Sequence, residues 1–166
     1  MNRRLFLALM PVALTTGCGF QLRRHDGVPF NRVYLDAPAG SAVAQRLRAL
    51  LVQGGRTKLV SSANEADAVV RLGNDARTRT ILSLSGAGRV TEFRLGLTIS
   101  YSVLGREGQV LAETETIELT RDLTYDDRQV LAKGAEEALL YRDMDDIAAL
   151  RILRRLQALK PANGRS

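Results

Sequence analysis

Arg71, Arg77, Arg79 and Arg89 stand close together on either side of a glycine-rich turn at Gly86-Ala87-Gly88. A guanidinium presents a planar fork that grips phosphate or carboxylate through two parallel hydrogen bonds, which a lysine ammonium cannot do. The chain favours that chemistry throughout, since 21 of its 24 basic residues are Arg and only Lys58, Lys133 and Lys160 are Lys. Charge is also segregated. Residues 71–106 carry six Arg against Asp75 and Glu92, whereas residues 107–127 carry Arg121 against seven acids. Two readings of the cluster follow. Adjacent antiparallel strands of opposite charge would pair, at about 0.2–1 kcal/mol per pair. Alternatively, several Arg on a wet sheet face would hold the phosphates of an anionic partner.

Other chemistries are limited by composition. The chain has one Cys (Cys18) and one His (His25). That excludes a Cys/His zinc site, an intramolecular disulfide and a histidine relay within the folded body. Asp126, Asp127, Glu136 and Glu137 supply carboxylates for a general acid and base in principle. Neighbours on a helix point in different directions, however, and acids near a helix start are favoured by the dipole alone. No glycine-rich phosphate loop is present. Four Tyr and four Phe form no stacking platform, so nucleic acid is not an expected partner.

Cys18 carries chemistry of another kind. Arg3-Arg4 is followed by ten apolar residues, Leu5 to Leu14, about half the length a membrane-spanning helix requires. Small residues then lead to the lone cysteine in Thr15-Thr16-Gly17-Cys18. This is the pattern of a bacterial lipoprotein signal, here read as Sec-type, although Arg3-Arg4-Leu5-Phe6-Leu7 also resembles a twin-arginine export signal. Residues 1–17 are expected to be removed and Cys18 to carry S-diacylglycerol and an N-acyl chain such as palmitate. Two or more chains anchor stably at about 0.8 kcal/mol per buried methylene. Gly19 rather than Asp after the cysteine points to the outer membrane, on its periplasmic face. No other cofactor and no metal are expected.

Cleavage before Cys18 leaves 149 of the 166 residues and takes the formal charge from +6 to +4 by removing Arg3 and Arg4. A chain of that length forms one domain with its own core. Gly19, Gly27 and Pro29 mark residues 18–30 as a tether, a single domain occupies 31–160, and 161–166 form a disordered tail. Asn31 to Asp36 reads as a first strand. Ser41 caps a helix with Val43, Leu47, Leu50 and Leu51 on one side, stopped by Gly54-Gly55.

A strand then runs from about Ala68, with Val70, Leu72, Leu82 and Leu84 on one parity and Arg71, Arg77 and Arg79 on the other. Phe93 to Val103 alternates without a miss, one face buried and one wet. Gly105 to Gly108 makes a hairpin turn into a fourth strand, Val110 to Leu123. Thr124 and Asp127 resemble a capping box for a long final helix ending before Pro161, its apolar seam interrupted by Arg142 and Asp145. That interruption predicts a bend or a change of register near Tyr141, with the two charges exposed or paired. The expected fold is α+β: a four-stranded, mostly antiparallel sheet in the order β-α-β-β-β-α, covered on one face by two helices.

Cys18 to Arg23, Leu131-Ala132-Lys133, Leu140 to Met144 and Ile152 to Leu156 together resemble the LptE family of lipopolysaccharide-assembly lipoproteins, over essentially the whole mature chain. The resemblance implies a protein that is not an enzyme. It implies a plug for the outer-membrane β-barrel LptD, which helps that barrel assemble, binds lipopolysaccharide and assists its delivery to the outer leaflet. By the same likeness Lys133 is a lipopolysaccharide contact, and Arg89 is the nearest substitute for a basic residue at the tip of the Gly86-Ala87-Gly88 loop. Asp145 stands where relatives often have Arg, and Gly134 where they often have an acid. The competing reading is a free-standing periplasmic lipoprotein that binds or hydrolyses another anionic glycan or lipid.

Overall fold

The computed structural model describes residues 27–160; the signal at 1–17, Cys18 with most of the tether, and the tail at 161–166 lie outside the described residues. The elements are β1 (Arg32–Asp36), α1 (Ala42–Gln53), β2 (Lys58–Leu59), β3 (Ala68–Leu72), β4 (Ala76–Leu84), β5 (Val90–Gly105), β6 (Val110–Thr124) and α2 (Val130–Ala158). Short 3-10 turns at Ala63–Glu65 and Asp127–Gln129 precede β3 and α2.

β5 is the axis of the sheet. Its alternation buries Leu95, Leu97, Ile99, Tyr101 and Val103 beneath the helices and leaves Thr98 exposed on the other face. β6 pairs antiparallel with one side of it, from Glu92↔Thr124 to Leu104↔Val110. β3 and β4 share its other side, β3 along Tyr101–Gly105 and β4 along Val90–Thr98. Beyond β3 lie β1 and β2, and here the pairing is parallel. Parallel neighbours need a crossover, which α1 supplies between β1 and the returning chain. The sheet therefore has six strands and mixed direction, not four mostly antiparallel ones. β2 is only two residues long and shows no alternation, so its pattern could not announce it.

The expected strand from Ala68 onward is divided by a bulge. Leu72 pairs with Tyr101 and Ala76 with Thr98, so this strand advances four residues while β5 advances three. Gly73 N still donates to Ser100 O at 2.8 Å, and a Cβ at Gly73 would collide with the Ser100 hydroxyl. One extra residue reverses which parity faces the helices. The two hairpin turns are alike: Ser85 N bonds to Arg89 O and Gly105 N to Gln109 O, each at 2.8 Å. Gly88 and Gly108, at φ of 75° and 80°, take the left-handed position that closes such three-residue loops.

Ser41 Oγ accepts from Ala44 N at 3.1 Å and caps α1, which buries Val43, Ala44, Leu47 and Leu51. α2 begins differently from the expectation. Thr124 remains in β6, and the Asp126 carboxylate accepts from Arg128 N at 3.0 Å to open the 3-10 turn. The buried positions of α2 are Tyr141, Met144, Asp145, Ala148, Ala149, Ile152 and Leu156. None of Val130–Leu140 is buried, and Leu131 is 92% exposed. The expected seam thus holds only in the second half of the helix. α1 lies alongside α2 in the same direction, with Arg46 bonded to Asp146 near one end and Leu50 beside Leu153 near the other.

Candidate functional site

The bulge sends the singled-out arginines to opposite faces. Arg71, opposite Ser102, lies on the face without helices, with its Nε 3.6 Å from Asp36 Oδ2 on β1. Arg77 and Arg79, opposite Leu97 and Leu95, turn toward α2. They were expected on one wet face with Arg71, and the extra residue between Leu72 and Ala76 separates them.

Arg77 Nη2 reaches Asp145 Oδ2 at 2.8 Å, and its guanidinium lies 5.0 Å from the centre of the Tyr141 ring. Tyr141 donates its hydroxyl to Thr78 O at 2.8 Å, tying the helix to the same strand. Asp145 is buried at 4% exposure, and its Oδ1 has no hydrogen-bond partner. Burial raises its pKa, opposed by the charge and hydrogen bond of Arg77. The second charge interrupting the apolar seam, Arg142, is exposed.

Arg79 stacks 3.8 Å over the Phe93 ring centre and 5.7 Å from that of Tyr125, the two rings meeting edge to face at 5.1 Å. Its Nε stands 3.5 Å from Glu137 on α2. Arg89, 74% exposed, reaches Asp127 at 3.8 Å from the base of the hairpin loop. Lys133 Nζ bonds to Glu136 at 2.8 Å, one helical turn away. Three of the five predicted basic residues, Arg77, Arg79 and Arg89, are therefore brought against the start and middle of α2, on which Lys133 already lies. Arg71 is not among them.

The cross-strand pairing expected between β5 and β6 occurs as a two-pronged bond from Arg94 to Asp122 at 2.8 and 2.9 Å. Elsewhere the acidic strand turns to the helix: Glu115 takes Arg155 at 2.9 Å and the Tyr101 hydroxyl at 2.6 Å, while Arg121 on β6 pairs with Asp143 at 2.8 Å. The four carboxylates considered for acid–base work are each held by a cation. Asp126 is bonded to Arg128, which lowers its pKa to about 2; Asp127, Glu136 and Glu137 pair with Arg89, Lys133 and Arg79. Asp126, held in its ionised form by Arg128, is a poor proton donor. Among the described residues no helix is long and apolar enough to cross a membrane.

Sequence reasoning left open how the buried acid would be handled. Asp145 falls on the same helical stripe as Ala149 and Ile152, and among the described residues Arg77 supplies its counter-charge.

The fold is that of several solved lipoprotein domains. The solution structure of an uncharacterised lipoprotein B from Nitrosomonas europaea matches with a TM-score of 0.72 at 40% identity, covering 84% of this chain and 91% of that one. The crystal structure of rare lipoprotein B from Shewanella oneidensis matches at 0.66 and 32%, covering 76% and 93%. The class is thus a lipoprotein with two helices over a mixed sheet. The LPS-assembly lipoprotein LptE of Pectobacterium atrosepticum is 30% identical, with 94% of this chain and 86% of the relative covered. That of Photorhabdus laumondii is 25% identical over 94% and 87%. The family model for LptE, described as lipopolysaccharide-assembly, matches residues 28–156, and the chain belongs to that family.

Proposed function

We propose that the chain is an outer-membrane lipoprotein, anchored through acylated Cys18 on the periplasmic face, that plugs and helps assemble the LptD barrel and binds lipopolysaccharide for delivery to the outer leaflet. Membership of the LptE family supports the barrel partnership. One arrangement supports the glycolipid. Arg89, Arg79 and Arg77 meet the start and middle of α2 in order, at Asp127, Glu137 and Asp145, and Lys133 on the helix itself pairs with Glu136 between them. Exposed Ile81, Leu84 and Leu131 belong to the same strand and helix start. A ligand with several phosphates and acyl chains needs cations and apolar surface side by side, and a phosphate can grip bidentately a guanidinium such as that of Arg89, held by one exposed carboxylate.

Detergent extraction of outer membranes, followed by purification through this chain, should bring down a large β-barrel. A photo-crosslinker at position 133 or 89 should label lipopolysaccharide, and one at position 71 should not. Mass spectrometry of the mature N-terminal peptide should find lipid on Cys18. Purification without a barrel would leave the free-standing lipoprotein as the surviving reading.

A further inference from the structure

Four cations lie where α1 and α2 end, away from the Gly86-Ala87-Gly88 hairpin that meets the start of α2. Residues 37–64 and 147–166 contain four and five basic residues and not one acid. Among the described residues, Arg56, Arg151, Arg154 and Lys160 have no carboxylate within ion-pair distance, whereas Arg77, Arg79, Arg89, Arg94, Arg121, Arg128 and Lys133 all do. Arg151 and Arg154 lie on exposed positions of the last turns of α2, and Arg56 follows the end of α1.

Between those two helix ends runs an apolar groove of about 290 Å³, lined by Val28, Leu50, Leu51, Leu150 and Leu153. Gly27, the first described residue, also lines it and packs beside the stem of Arg56. Val52 and Leu150, at 60% and 38% exposed, leave apolar surface open among the cations.

The chain therefore enters the domain beside these cations. Cys18 is nine residues before Gly27, a span of at most about 30 Å even when fully extended. An anchor so close holds this end near the leaflet that takes the acyl chains. Charge segregation and apolar surface here suit a sheet of anionic headgroups over hydrocarbon. They suit it better than a single counter-ion, because the cations are spread over two helix ends. We propose that this face, centred on Arg56, Arg151, Arg154 and Lys160, docks on an anionic phospholipid surface and fixes the orientation of the domain relative to its anchor. The proposal rests on the lipoprotein reading for its geometry, but the contact itself needs no acyl chain.

The test uses the full mature chain with Cys18→Ala, so that acylation cannot carry the binding. The probe is vesicles of one part phosphatidylglycerol to two parts phosphatidylcholine, with phosphatidylcholine alone as the neutral comparison. Binding is expected to the anionic vesicles only and to fall as salt rises. Each basic residue near such a surface contributes about fivefold to partitioning, so Arg56→Gln/Arg151→Gln/Arg154→Gln should lose about a hundredfold. Arg94→Gln/Arg121→Gln/Arg128→Gln removes the same charge from paired positions and should lose far less. Thermal unfolding of each variant confirms that it is folded before it is counted.

Equal loss in both triples, or equal binding to neutral vesicles, would overturn the proposal. So would loss on lipopolysaccharide micelles without loss on phosphatidylglycerol, which would make this face a glycolipid site. An unmodified Cys18 would defeat the lipoprotein reading while leaving the vesicle result standing, so the two failures are separable.

Discussion

Arg77 Nη2 lies 2.8 Å from Asp145 Oδ2, and this contact joins the edge strand β4 to the middle of α2 where the carboxylate is otherwise enclosed. Removing only the arginine strands a buried charge, whereas replacing both partners by apolar groups removes the need for either. The arginine is 41% exposed, which tempers the loss. Arg77→Met is expected to cost about 2–4 kcal/mol, and Arg77→Met/Asp145→Leu to recover most of it. Urea unfolding of the four proteins completes the cycle. A double variant no more stable than Arg77→Met would show that the charge on Asp145 is not the source of the loss.

The pH dependence of stability contains two opposing contributions. Burial raises the pKa of Asp145, so between about 3.9 and its folded pKa the native state holds the extra proton, and that contribution falls as pH rises. Hydrogen bonds from Arg128 lower Asp126 to about 2, so its contribution is present above about 3.9 and lost as pH falls toward 2. Asp126→Asn should flatten the acid limb of a plot of urea midpoint against pH, and Asp145→Asn should steepen it. Shifts in the same direction for both variants would contradict this assignment.

The bulge should be tested by deletion. Removing Asn74 takes out one residue between Leu72 and Ala76, restoring equal advance on the two strands and turning Arg77 and Arg79 to the face without helices. A fall in thermal midpoint is expected, together with loss of the Arg77–Asp145 coupling in the cycle above. An unchanged midpoint would mean that the chain absorbs the deletion elsewhere in the loop.

Leu97 is 1% exposed beneath the helices, and Thr98 is exposed on the other face. Leu97→Ala should cost about 2–5 kcal/mol through lost transfer energy and the cavity left behind. Thr98→Ala is expected to cost less than about 1 kcal/mol. Chemical denaturation separates the two, and a reversed order would mean the faces are misassigned.

For the glycolipid surface, Arg79→Ser/Arg89→Ser/Lys133→Ser should weaken lipopolysaccharide binding, more so at low salt, where exposed charges act beyond about 8 Å. Arg77 is left in place because its loss uncovers Asp145. The matched control is Arg46→Ser/Arg48→Ser/Arg106→Ser. Equal weakening by both triples would indicate general attraction and no site. No weakening by either would point to acyl-chain contacts instead.

The alternation of Phe93 to Val103 and the spacing of Val43, Leu47 and Leu51 made β5 and α1 legible, because each buries one regular face. The parity of Arg77 and Arg79 was not legible. A bulge adds one residue without changing composition, and the residues after it, Arg77, Arg79 and Ile81, change face. β2 escaped notice because two residues carry no period. The first turns of α2 read as seam from Leu131, Ala135 and Ala138, but nothing is packed over those residues in the described chain. The basic positions of the candidate site were recognised by residue type and resemblance. Their carboxylate partners, Glu137 and Asp145 above all, depend on helix–strand contacts that no local pattern encodes.

The parallel placement of β1 has a consequence for the time course of folding. Leu104 and Val110 pair across a short turn, whereas Val33 must find Ala68, thirty-five positions further along. Loop closure makes such distant pairings slow relative to a local hairpin. The strand made first is therefore expected to be among the last to be fixed, after β3 is laid against β5. A kinetic analysis of Val33→Ala should find its energetic effect almost wholly in the unfolding rate, while Ile99→Val should also slow folding. On that order the amino-terminal region would stay open to other factors after the carboxy-terminal hairpin has taken shape.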